Sequence, residues 1–421
     1  MKRVPDDRAR WTTAAVPGLI ALLLLGGLPG MPDADGKAGP NRALAASPQS
    51  SPTTADADYW LYVAAESEDE VALVRFGPDG AAIERTIPVG SFPTDIDGPH
   101  GIAIHPDGSR WYVSIAHGMP YGEVVAYSTA TNERIGRVTA GLFPATMAVD
   151  PAGLLFVANF NLHGDHVPGT ISVIETGSML ELTQIETCTM PHGARMSPDG
   201  GRIYSACMMD DRLVEIDGRT LSVSRVFDLT PGDERQVPAT ELAGSAAPVA
   251  AVATEEAARH AGDHDDHEGG ATADPLMRCS PTWVEIAPAD DFAYVACNKN
   301  AEVLELELAS GSVQRRFATG KGPYNLAISP DGQRMVVTYK GAQATGIFDL
   351  ASSEERAVDN TRRIPHGVVI SPDSRFAFIS VEGIGGEPGT VDVIDLASAE
   401  VVASVDMGKQ AGGIGFWKMN R

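Results

Sequence analysis

"GPHGIAIHPDG", residues 98–108, places a Pro-Asp-Gly turn marker one short strand after a Pro-His-Gly. "MPHGARMSPDG" at 190–200 and "IPHGVVISPDS" at 364–374 repeat the arrangement. The marker also recurs without the histidine. It stands at Pro106-Asp107-Gly108, Pro151-Ala152-Gly153, Pro198-Asp199-Gly200, Pro288-Ala289-Asp290, Pro330-Asp331-Gly332 and Pro372-Asp373-Ser374. The prolines are 45, 47, 90, 42 and 42 residues apart. The long interval holds 44 residues, 233–276, with no strand alternation; without them it is 46 residues, one repeat.

Each repeat carries the same four runs. An apolar run precedes the turn, as in "GIAIHPDG", and a β-rich run follows it, as in "RWYVSIA" or "FAYVACN". A third alternates, as in "GTISVIET", and a fourth ends the unit, as in "VVASVDMG". Four strands at a period of about 40–45 residues read as a propeller blade. Blades begin near 98, 143, 189, 278, 322 and 364. Residues 59–89 supply three further strands that lack a first one, and 411–419 supply an unmatched first strand. Pairing them closes a ring, because closure protects edges that an open ring exposes. The sequence therefore predicts an all-β fold, a seven-bladed β-propeller closed by its C-terminal strand over 59–421.

The stretches "PHGIAIHPDGSRWYVSIA", "LLFVANF…GTISVIET" and "FAYVACNKNAEVLELEL" resemble YVTN-type β-propeller repeats, and the resemblance spans about 59–419. Cys207 and Cys297 depart from it, standing where the repeat's Asn is expected and where Asn159 keeps it. The resemblance implies an exported or surface seven-bladed propeller. It implies no activity, since a fold does not settle a function.

Composition narrows the partners. With 32 basic and 56 acidic residues the net charge is −24, which excludes nucleic acid, whose binding needs clustered Lys and Arg. At the N-terminus, Lys2, Arg3, Arg8 and Arg10 precede the apolar "AAVPGLIALLLLGGLPG", the pattern of a secretory signal peptide or an N-terminal anchor within 1–45. Residues 46–57 read as a disordered spacer. The expected location is secreted or periplasmic, with no membrane contact beyond that anchor. Export permits disulfides, and Cys188, Cys207, Cys279 and Cys297 allow three pairings that spacing does not decide.

In a repeat protein, equivalent sequence positions are equivalent places in space. The residue after each blade's first proline is His100, Ala145, His192, Thr282, Tyr324 or His366. It precedes the innermost strand, so it faces one mouth of the central channel. Loops of the same face carry His117, His163 and His166, and all four cysteines map there too. Three readings follow for the trio His100, His192 and His366. The histidines hydrogen-bond neighbouring backbone, hold a transition metal, copper first and zinc second, with His117, His163 or His166 completing the site, or serve a purely organic acid–base role. Within the insertion, "HAGDHDDHEGG" places His260, His264 and His267 among acids; it reads as a solvated loop or a weak metal-capturing tract.

No G-x-S-x-G, P-loop, H-E-x-x-H or haem-attachment motif occurs, and no catalytic residue is assigned. The expected function is a binding module that takes a protein partner, a small molecule or a metal on its top face. The alternative is a metal- or quinone-dependent oxidoreductase or its large subunit.

Overall fold

The computed structural model describes residues 55–91, 95–117, 121–162, 164, 167–244 and 279–420. The expected signal segment, most of the spacer, His163, His166 and the insertion from 245 onward lie outside the described residues. Within them the protein is a seven-bladed β-propeller: seven antiparallel sheets, six of four strands and one of five. Among the described residues there is no α-helix, only two short 3-10 turns, Glu66–Glu68 and Ala239–Gly244. Among the described residues no helix is long and apolar enough to cross a membrane.

Closure runs as the orphan strands require. Ala411–Asn420 pairs antiparallel with Asp58–Ala65 and becomes the innermost strand of the first blade. The seam is aromatic: Tyr59 and Phe76 of the first blade pack on Phe376 and Phe378 of the last. Each blade's second and third strands are buried on both faces, so they read as near-continuous Val, Ile, Ala and aromatic runs.

Two segments expected as spacer and loop reach the propeller. Ala55 and Ala57 are buried, and Asp56 bonds Arg375. The first part of the insertion adds a fifth strand, Arg235–Val237, to the outer edge of the fourth blade, with Val237 and Leu242 buried. Val237 and Leu242 supply the apolar contacts that hold it there.

Both disulfides lie where the repeat loses its Asn. Asn159 accepts the Gly141 amide and so ties the second strand of the third blade to the incoming chain. Cys207 and Cys297, at the equivalent positions, reach Cys188 and Cys279 at the same incoming segment. A covalent bond thus replaces a hydrogen-bonded tether in the fourth and fifth blades.

Candidate functional site

The innermost strands begin at the repeated prolines, as in Pro99–Ile104, Pro191–Met196 and Pro365–Ile370. At five junctions around the ring, the carbonyl of the second residue of an inner strand accepts a hydrogen bond from a hydroxyl of the preceding blade. Ser114 donates to Ala145, Thr146 to His192, Thr282 to Tyr324, Thr338 to His366 and Ser380 to Gly412. The glycine that follows keeps the strands this close: a Cβ on Gly101 would lie 2.0 Å from the Ala145 oxygen, and one on Gly413 2.0 Å from the His100 oxygen.

In the fourth blade the donor to the next blade is of another kind. Ala206 stands where Ser114, Thr338 and Ser380 carry their hydroxyls, and Gly193 where Thr146 does. His192 replaces the missing hydroxyl, its Nδ1 donating to the Thr282 carbonyl at 3.0 Å. In the neutral ring Nε2 is then an acceptor, and the Tyr324 hydroxyl donates to it at 3.0 Å. Burial, more than the charges of His100 and Lys340, holds His192 at about 3, so it is neutral. For this member of the trio, backbone bonding describes the contacts.

His100 and His366 differ. The trio converges as register requires: the His100 ring lies 6.1 Å from that of His192 and 5.8 Å from that of His366, centroid to centroid. Yet Nε2 of His100 and Nδ1 of His366 are buried without a hydrogen-bond partner. Glu66 Oε2 stands 3.3 Å from His100 Nδ1, and Glu66 Oε1 is 3.0 Å from Nε2 of half-buried His117. Gln410, at the entry to the closing strand, donates to Glu66. Burial would raise the Glu66 carboxyl, but the imidazoles of His100 and His117 outweigh it and hold the group well below the carboxylate range.

On the far side of the mouth, Glu382 Oε1 binds the Lys340 ammonium at 2.8 Å and faces His366 Nε2 at 3.8 Å. Burial, then Lys340, keeps His366 well below the imidazole range. Lys340 also lies over the Tyr324 ring, 4.3 Å from its centroid. Burial opposes its charge, but Glu382 and Tyr324 outweigh that and raise it above the lysine range. Burial pushes Tyr324 up to about 12.

The mouth thus gathers two carboxylates, a lysine, a tyrosine and four imidazoles under an aromatic wall of Phe143 and Phe160. Sequence reasoning missed Glu66 and Lys340, which carry no repeat marker, and did not single out Tyr324. For His192 the signal existed: the fourth blade has Ala206 and Gly193 at the clamp positions and a histidine beside them. Met208, in a loop of the same face, packs with Phe143 and Phe160. Among the described residues no three His, Cys, Asp or Glu side chains stand together so as to chelate an ion.

Fold and site define the class: a seven-bladed β-propeller with a buried, charged cluster at one mouth of its channel. Solved structures that share the fold include three at low sequence identity. The periplasmic gluconolactonase of Pseudomonas aeruginosa is 17% identical, with a TM-score of 0.60 over 86% of this chain and 99% of that one. A functionally unknown protein from Desulfotomaculum acetoxidans is 16% identical, with a TM-score of 0.60 over 85% and 98%. The hydrazine synthase of Kuenenia stuttgartiensis is 19% identical, with a TM-score of 0.54 over 76% and 90%. At these identities the likeness is one of fold. No family model matches the chain, and no curated protein matches it in sequence.

Proposed function

We propose that this protein is an extracytoplasmic binding module whose channel mouth takes one transition-metal ion between His100 and His366, copper first and zinc second. The observation that carries this is the pair of imidazoles 5.8 Å apart with buried, unpartnered nitrogens. Glu66 beside Nδ1 of His100 favours the proton there, which leaves the Nε2 lone pair free. Glu382 beside Nε2 of His366 does the same for Nδ1. Metal–nitrogen bonds of about 2.0–2.1 Å on opposite sides of one ion put two rings roughly 6 Å apart. Two opposed imidazoles suit monovalent copper, and imidazole ligands suit copper and zinc in general. His192, with both nitrogens engaged, positions the mouth through Thr282 and Tyr324; His117 orients Glu66.

Two disulfides are compatible with an oxidising compartment, and export is proposed with them. Ile96, Tyr121, Leu142, Val167 and Ile384 are exposed on loops of the same face. They are the surface proposed for a protein partner or a small molecule that meets the ion. A redox enzyme at this mouth is the second reading. Tyr324 favours it, a phenol whose proton acceptor, His192, is already in place and whose ring is 4.8 Å from that of His366.

The test is metal content after copper or zinc loading and desalting. Wild type and His100→Ala/His366→Ala are compared, both with His260, His264 and His267 replaced by Ala. About one ion per chain in the first and none in the second supports the site. Equal content in both overturns it.

A further inference from the structure

Beneath the histidines the channel holds a chamber of about 30 Å³, lined by His100, His366, Trp283, Asn325 and Arg195 between apolar walls. That volume admits one or two water-sized molecules. Trp283 shares the chamber with Arg195, whose guanidinium lies 4.4 Å from the indole centroid and pairs with Glu285 at 3.0 Å. Trp283 Nε1 and Asn325 Oδ1 are buried without a hydrogen-bond partner, as are His366 Nδ1 and His100 Nε2. Trp283 is 5% exposed and Asn325 3%. A single buried polar group left unpaired is costly, and native interiors hold few of them. Four residues that leave such atoms around one small cavity share a partner that is not protein.

We propose that this chamber binds a neutral polar molecule of one or two non-hydrogen atoms that both donates and accepts hydrogen bonds, of the class of hydroxylamine or hydrogen peroxide. The Trp283 N–H donates to it, and the Asn325 carbonyl and an imidazole lone pair accept from it. Neutrality follows from the charges around it. Arg195 is answered by Glu285 and Lys340 by Glu382, and the Glu66 carboxylate stands behind His100, so the chamber offers an anion no uncompensated positive charge. The size limit follows from the walls: Ile102, Met147, Val368 and Ile414 leave no room for a branched molecule. The inference shares His100 and His366 with the metal reading, and in a loaded site the molecule sits beside the ion. Its contacts to Trp283 and Asn325 need no ion.

The experiment therefore uses the full chain, ¹⁵N-labelled and stripped of metal by chelation, with hydroxylamine as probe at pH 7.5. The Trp283 indole N–H resonance is assigned by its loss in Trp283→Phe. A saturable shift of that resonance alone among the five tryptophans is expected. Isopropanol should give none, and Asn325→Leu should weaken binding at least tenfold. No shift, a shift that rises linearly without saturating, or an equal shift with isopropanol overturns the proposal and leaves a chamber for water. Because metal is absent throughout, the result is independent of whether the mouth binds copper. If Asn325→Leu does not fold, the wild-type titration and the isopropanol control still decide.

Discussion

Lowering the pH from 7 to 5 should strip stability from the mouth before ordinary carboxylates titrate. Burial holds His192 at about 3 in the folded protein, while an unfolded histidine titrates near about 6.5. The folded value is the lower one, so the unfolded chain takes up the proton first. The stabilisation is complete above about 6.5 and falls as the pH drops toward the folded value. At pH 5 the cost from His192 alone is about 2 kcal/mol. His366 shifts in the same direction, through burial and Lys340, and adds to it. Glu66 adds a later loss below the ordinary carboxylate range, since its folded value is also depressed. The assay is denaturant unfolding at pH 7 and pH 5 for wild type and His192→Gln. Glutamine can keep both bonds, its amide N–H to Thr282 and its carbonyl to the Tyr324 hydroxyl, but it does not titrate. Wild type should lose about 2 kcal/mol more than the variant between the two pH values. Equal losses would show that His192 is already protonated in the folded protein, and the description of the mouth as a neutral imidazole clamp would fail.

Three further outcomes are expected. Deleting Ala411–Asn420 removes the innermost strand of the first blade and should abolish cooperative unfolding, at a cost on the order of the whole net stability, about 5–15 kcal/mol; near-normal thermal melting would refute the closure. Replacing Cys279 and Cys297 by Ala opens a loop of separation 18 and should cost about 3 kcal/mol by the loop-entropy account, read from urea midpoints under non-reducing conditions. Tyr324→Phe leaves the buried Nε2 of His192 without its donor and should cost about 1–3 kcal/mol, with no change in blade structure by circular dichroism.

Much of the architecture was legible because a propeller repeats its turn chemistry. The Pro-Asp-Gly markers fixed blade length, and the orphan strands at 59–89 and 411–419 required a closed ring. Register alone brought His100, His192 and His366 to one mouth, residues far apart in the chain. What register could not give is which members of an equivalent set share a chemical role. That depends on neighbours in adjacent blades: Ala206 in place of a hydroxyl turned His192 into a backbone clamp, while Glu66 and Glu382 flank the other two. Glu66 sits in a short 3-10 turn and Lys340 just past the end of a second strand. Neither carries a marker, and their pairing with histidines is a matter of three-dimensional contact. The extra strand Arg235–Val237 was hidden for a related reason, since three residues are too few to show alternation.

The central claim is that His100 and His366 are the metal-binding pair of the channel mouth. Anomalous scattering at the copper edge, from crystals of the copper-loaded full chain, tests it most directly. The account predicts one strong peak between the two imidazoles, about 2 Å from His100 Nε2 and His366 Nδ1. A mouth without a peak, with copper found only at other histidines, would contradict it.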